Sequence, residues 1–253
     1  MTNKAKQPFQ FQRPSGKLFP DYSVVTSDKV MASLNDTLHH LRMAKRWHGI
    51  NDQEDAFHQN ILRFFLNHGQ APAIDDLIQA SGLSKKDINN NLEQLCHRDL
   101  IVLNDNGQIT GAYPFTVKIT EHMIRIDGVD NHAMCAIDAL GAGAMANNDS
   151  HIQSCCRHCG CAIIIETDDN GSQIKSASPA TSIVWSGVQD IDGCAATSQC
   201  TVMALFCSDE HLSLWQGKTM PKPMGHRLTM SEGLQAGRAI FQPFLDHPQN
   251  QSE

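Results

Sequence analysis

Eight of the chain's nine cysteines fall between residues 135 and 207: Cys135, Cys155, Cys156, Cys159, Cys161, Cys194, Cys200 and Cys207, with Cys96 alone outside. No other feature constrains the chain so tightly. The first twenty residues, MTNKAKQPFQFQRPSGKLFP, carry lysines but no apolar h-region, so the cytoplasm is the expected compartment. There the thiols stay reduced, and an odd number of cysteines is a poor disulfide framework. Concentrated thiols then serve as metal ligands, as reactive groups or as small buried residues.

The remaining composition narrows the function. With 253 residues the chain can bury a real core. A formal net charge of −7 gives no support to general nucleic-acid binding. No run of eighteen apolar residues occurs, so no membrane span is expected. A Rossmann GxGxxG, a P-loop, HExxH and GxSxG are all missing, which removes nucleotide, zincin and serine-hydrolase readings.

The periodicities predict an α+β chain. Residues 1–50 read as an N-terminal extension: an irregular arm over 1–25, then helical spacing across 27–48, capped by Ser27 or Asp28. Three helices are predicted over 51–113. The first stops at Gly69 and the second at Gly82, while Ser84 caps the third. A hairpin turning at Asn106-Gly107 completes a winged-helix pattern. The third helix mixes Lys85, Lys86 and Arg98 with Asp87, Glu93 and Asp99, so it is not a basic stripe and argues for a structural role. Residues 114–247 form a mixed core. Strands are expected within 115–127, 161–168, 182–187 and 200–208, and helices over 209–218 and 231–247 with a proline-containing loop between. Residues 248–253 are a polar tail.

Three groups could carry chemistry. In NHAMCAIDALGAGAM, Cys135 and Asp138 stand at i and i+3, on one face of a helix that Asn131 or Asp130 would cap. Near a helix N-terminus the dipole favours a thiolate, and the carboxylate could take the thiol proton and return it. Taken alone, the pair reads first as a buried thiol beside an aspartate bonded to backbone. In CTVMALFCS, Cys200 opens the predicted strand, with Thr201 and Met203 on the opposite face; it could enter a cleft or simply fill the core. In SCCRHCGC, Cys156-x2-Cys159 resembles half of a zinc site, with Cys155, Cys161 and His158 beside it and Cys194 and Cys207 as candidate distant ligands.

Taken together, Cys135-x2-Asp138 in MCAIDAL, a cysteine about twenty residues on in SCCRHCG, and Cys200 before VMALFCS resemble the alkylmercury (organomercurial) lyases. The likeness spans roughly residues 55–247, including the order of helices, hairpin, strands and C-terminal helices. Met134 stands where the family commonly has an aromatic residue, and Thr201 follows Cys200 where another cysteine can stand.

The resemblance implies that Cys135 and Cys200 are catalytic cysteines and Asp138 the catalytic aspartate, with Cys135, Asp138 and Cys200 as the mercury site. It implies that Cys156 is a structural cysteine. The implied reaction is protonolysis of a carbon–mercury bond, giving a hydrocarbon and Hg(II). The implied partners are an organomercurial substrate, small-molecule thiols that carry Hg(II) away, and a mercuric reductase receiving it; no organic cofactor is implied. Thiolates suit so soft a cation. A separate metal ion on Cys155, Cys156, Cys159 and Cys161 is a further expectation. It motivates a second reading, a thiol-based metal sensor or carrier on the same fold without lysis.

Overall fold

The computed structural model describes residues 9–189 and 193–247. The start of the expected arm (1–8) and the polar tail (248–253) lie outside the described residues.

The rest of the predicted arm is built into the molecule. Strands β1 (Phe11–Gln12) and β2 (Leu18–Phe19) pair antiparallel. Phe19 is fully buried, stacked on Trp47 with ring centroids 4.3 Å apart. Burying one such side chain contributes about 1.5–3 kcal/mol, enough to hold a short segment down. Arg13 adds a buried ion pair with Asp55 and donates to the Pro243 carbonyl at 2.8 Å. The helix predicted across 27–48 is two, α1 (Asp28–His40) and α2 (Met43–Arg46), because Arg42 is left-handed (φ +52°) and breaks the run.

The three helices that follow obey their local signals. Helix α3 (Asp52–His68) opens on a reciprocal Asn51–Glu54 capping box and ends at left-handed Gly69. Helix α4 (Ile74–Ser81) ends at Gly82, and α5 (Lys85–His97) starts at Ser84, whose hydroxyl accepts from the Asp87 N–H. The hairpin β3 (Ile101–Leu103) and β4 (Ile109–Ala112) does not project as a free wing. It continues through β5 (Phe115–Thr116) into the main sheet and forms that sheet's edge.

Strands β6 (Met123–Ile126) and β7 (Val129–Ala133) turn at Asp127-Gly128. Residues 129–133, where Asp130 or Asn131 is expected to cap a helix, extend instead because they pair with β6 on one side and β5 on the other. Helix α6 (Ala136–Ala146) follows, then β8 (Ser150–Cys155), β9 (Ala162–Asp168) and β10 (Gln173–Ser178). These make an eight-stranded antiparallel sheet in the order β10-β9-β8-β6-β7-β5-β4-β3.

A second sheet of three strands, β12-β11-β13, contains β11 (Ile183–Val188), β12 (Met203–Phe206) and β13 (Met224–Thr229). Helix α7 (Asp209–Lys218) lies between β12 and β13. The loop expected before the last helix, α8 (Met230–Phe241), is therefore in large part strand, held by six paired residues of β11. Apart from Asp138 in its first turn, helix α6 is apolar on every side and accordingly buried. It packs on α8 through two glycines: a Cβ at Gly141 would lie 2.5 Å from the Gly237 carbonyl oxygen. Among the described residues no helix is long and apolar enough to cross a membrane.

Candidate active site

Strand β7 delivers the chain to Cys135 in an extended conformation (φ −156°), and Cys135 itself is the N-cap of α6. Its sulfur accepts from the Asp138 N–H at 3.5 Å, the place usually taken by a serine or aspartate oxygen. The expected caps, Asn131 and Asp130, are occupied in β7. Sitting at the cap sets the sulfur at the positive end of the helix dipole. Asp138 lies in the first turn of the same helix.

Cys200 arrives from the other sheet. It does not open a strand; it sits in a 3₁₀ turn, Gln199–Val202, just before β12. The turn breaks strand alternation, so Cys200 and Met203 both face the α6 terminus. Cys200 Sγ lies 3.7 Å from Asp138 Oδ2, and Met203 Sδ lies 3.6 Å from Cys135 Sγ. The ligating atoms of Cys135, Asp138 and Cys200 are all within 4.8 Å of one another, and all three residues are buried.

Burial governs the protonation of this trio. The Asp138 carboxyl is pushed up to about 7 by burial, against hydrogen bonds with Cys135 and Cys200 that pull it down. Burial likewise raises the Cys135 thiol, with the Asp138 charge adding to it. Cys200 is raised well above the ordinary thiol range, first by its hydrogen bond to Cys135, then by burial and the Asp138 charge. At neutral pH the site holds two protonated thiols beside a carboxyl group balanced between its two forms. That is the condition under which one carboxyl can both accept and donate.

The trio opens into a small apolar cavity of about 60 Å³. Part of its lining comes from the N-terminal segment: Phe19, Leu38, Leu41, Met43 and Trp47. Met134 is not part of this lining; it packs over Gly111, where a Cβ would meet its Cε at 2.3 Å. The loop bearing Cys200 is fixed by Asp99, which accepts from the Ala195 N–H at 2.9 Å and from the Tyr113 hydroxyl at 3.0 Å, and pairs with Arg46. The Tyr113 oxygen in turn accepts from the Ala196 N–H at 2.8 Å.

Residues 115–242, just over half of the chain, match the family model described as alkylmercury lyase. The chain belongs to the alkylmercury lyase family. Two curated relatives are the alkylmercury lyases of Staphylococcus epidermidis and Bacillus cereus. The first is 22% identical over 175 residues, covering 69% of this chain and 77% of the relative. The second is 24% identical over 172 residues, covering 68% and 75%. Among solved structures, one described as the mercury-bound form of MerB2 superposes with a TM-score of 0.68 at 22% identity. It covers 87% of this chain and all of that one, so the alkylmercury lyase fold extends beyond the matched residues into the N-terminal part.

A second group of ligating atoms converges in this member of the family, and its membership differs from the expected four cysteines. Cys156 and Cys159 meet Cys207 and His211, with all four ligating atoms within 4.8 Å of one another. Cys155 closes β8 and turns its sulfur towards Glu121, 3.7 Å away. Cys161 is exposed and stands outside the converging four, although its backbone N–H donates to Cys159 Sγ at 3.5 Å. Cys194 bonds to Thr197, away from both groups. His211 was missing from the sequence reading. Its signal was present: Cys207-x3-His211 spans the start of α7 at the spacing of a ligand pair, complementing Cys156-x2-Cys159. Asp99, Tyr113 and Met203 left no such signal, because each acts through a contact distant in sequence.

Proposed function

We propose that this chain lyses organomercurials by protonolysis, with Cys135, Cys200 and Asp138 as the catalytic residues. The observation that carries the reading is the convergence of two buried thiols on one buried carboxyl whose proton affinity is raised to about 7. Family membership supplies the substrate class.

The organomercury cation exchanges its departing ligand for the Cys135 sulfur, and the Cys135 proton leaves with that ligand. Asp138, 3.7 Å from Cys200, takes the Cys200 proton as the second sulfur closes on mercury. Two thiolate ligands push electron density into the mercury–carbon bond and make the carbon basic. Asp138 then delivers that same proton to carbon; the mercury–carbon bond breaks, the hydrocarbon leaves, and Hg(II) remains on Cys135 and Cys200. Serine would be too hard a ligand at either position, and asparagine could not move the proton. The apolar cavity keeps competing water from the acid and accommodates the organic group. Hg(II) leaves by exchange onto small-molecule thiols of a reducing compartment, in the cytoplasm, for delivery to a mercuric reductase.

The test is turnover. Purified protein with phenylmercury or methylmercury and excess thiol is expected to release benzene or methane. Product no greater than the thiol-only blank would reject the reading and favour a binding protein on this fold.

A further inference from the structure

We propose that Cys156, Cys159, Cys207 and His211 hold a structural zinc ion, separate from the mercury-handling trio. The donor set is three thiolates and one imidazole, a recurrent composition of closed, four-coordinate zinc sites. The spacing C-x2-C followed by C-x3-H divides the ligands between two rigid elements: the turn joining β8 to β9, and the junction of β12 with α7.

The distances suit one small ion. Tetrahedral zinc with Zn–S near 2.3 Å and Zn–N near 2.0 Å places its sulfurs about 3.8 Å apart, and sulfur and nitrogen about 3.5 Å apart. Here Cys159 Sγ and Cys207 Sγ are 3.9 Å apart, and Cys156 Sγ and His211 Nδ1 3.6 Å apart. The Cys207 Sγ to His211 Nδ1 contact, 3.0 Å, needs to open by about half an ångström. A multi-iron cluster needs its cysteines spread further than four atoms that all fall within 4.8 Å.

The turn is also shaped as a metal knuckle. The Cys156 N–H donates to the Cys161 carbonyl at 2.8 Å and the Gly160 N–H to the Cys156 carbonyl at 2.8 Å, with Gly160 left-handed at φ +73°. This curl aims the Cys161 N–H at Cys159 Sγ, a donor to a sulfur that would carry charge on metal binding. The residue inside the curl, Arg157, reaches the segment bearing Cys200. Its N–H donates to the Leu205 carbonyl at 2.9 Å, and its Nη1 to the Thr201 carbonyl at 3.0 Å. Zinc at this centre therefore clamps the β8–β9 turn onto β12 and holds the approach of Cys200 to Asp138.

Zinc content and thermal stability test this without recourse to lysis, so the outcome is independent of the proposed activity. The full chain, purified under reducing conditions, is expected to carry stoichiometric zinc by elemental analysis. Strong chelation should lower Tm, zinc should restore it, and cobalt in its place should give the absorption of a tetrahedral thiolate site. Cys207→Ser and His211→Ala should weaken zinc binding at least about 100-fold, beyond what loss of an outer hydrogen bond costs. Cys155→Ser should retain it. A reduced wild-type chain that takes up neither zinc nor cobalt, and whose Tm ignores both, overturns the proposal. So does zinc that survives His211→Ala and Cys207→Ser together but is lost in Cys155→Ser.

Discussion

The two thiol centres are built from similar atoms and arranged for opposite ends. Cys135, Asp138 and Cys200 form a buried trio with two sulfurs, a carboxyl and an apolar cavity beside them. Cys156, Cys159, Cys207 and His211 form a four-donor set nearer the surface, with Cys159 exposed. A closed shell of four donors retains a metal, whereas an incomplete shell leaves room for a substrate atom. The carboxyl is the difference in composition: on the proposed mechanism it moves the proton at the first centre, and the second has no carboxyl. Both centres lie along β12, with Met203 at one end touching Cys135 and Cys207 just past the other.

The comparison can be broken most directly at the sulfurs. Cys135→Ser or Cys200→Ser should reduce hydrocarbon release to the thiol-only blank while leaving the zinc content intact. If either variant still turns over, the catalytic and metal-holding roles are not divided as argued. Asp138→Asn should cost about 10²–10⁴-fold in kcat, the usual contribution of a positioned acid–base group. It should still bind organomercurial through its thiols, which mass spectrometry of the adduct reads; wild-type turnover in this variant would remove the proton-transfer role.

The pH profile sharpens the same point. Capture needs Asp138 ionised, and its carboxyl is raised to about 7 in the free protein. The profile of kcat/KM should therefore rise with pH and level off above about 7, falling about tenfold per pH unit on the acid side. Asp138→Asn should flatten that limb; a wild-type limb centred near 4 would show the carboxyl to be unperturbed. The smallest expected effect is at Tyr113→Phe. It removes the hydroxyl between Asp99 and the Ala196 N–H, leaving a partly buried donor unpaired at about 1–3 kcal/mol. A lower Tm with unimpaired adduct formation at Cys135 is expected, and an unchanged Tm would dismiss the anchor.

Features written in local chemistry were legible in the sequence. Ser84, Gly69 and Gly82 mark helix ends because a cap or a left-handed glycine acts within a turn of its own position. The i, i+3 spacing of Cys135 and Asp138 is similarly local. Features that depend on partners were not. Asp130 and Asn131 look like helix caps until β5 and β6 pair with them, and 224–229 looks like a loop until β11 does. The setting of Cys200 escaped because a 3₁₀ turn carries no period-two signature. His211 carried a local signal in Cys207-x3-His211, but its convergence with Cys156, 55 residues away, appears only in the folded chain.

The N-terminal part of the cavity lining has one more consequence. The residues that match the family run from 115 to 242, yet Phe19, Leu38, Leu41, Met43 and Trp47 face the trio from a stretch well upstream. On the proposed reaction, part of the room offered to the organic group is therefore built by a segment outside the family match, alongside Ile137, Met203 and Phe241 from within it. Substitutions at Phe19, Leu38 or Trp47 can thus change the shape of the cavity without altering Cys135, Asp138 or Cys200.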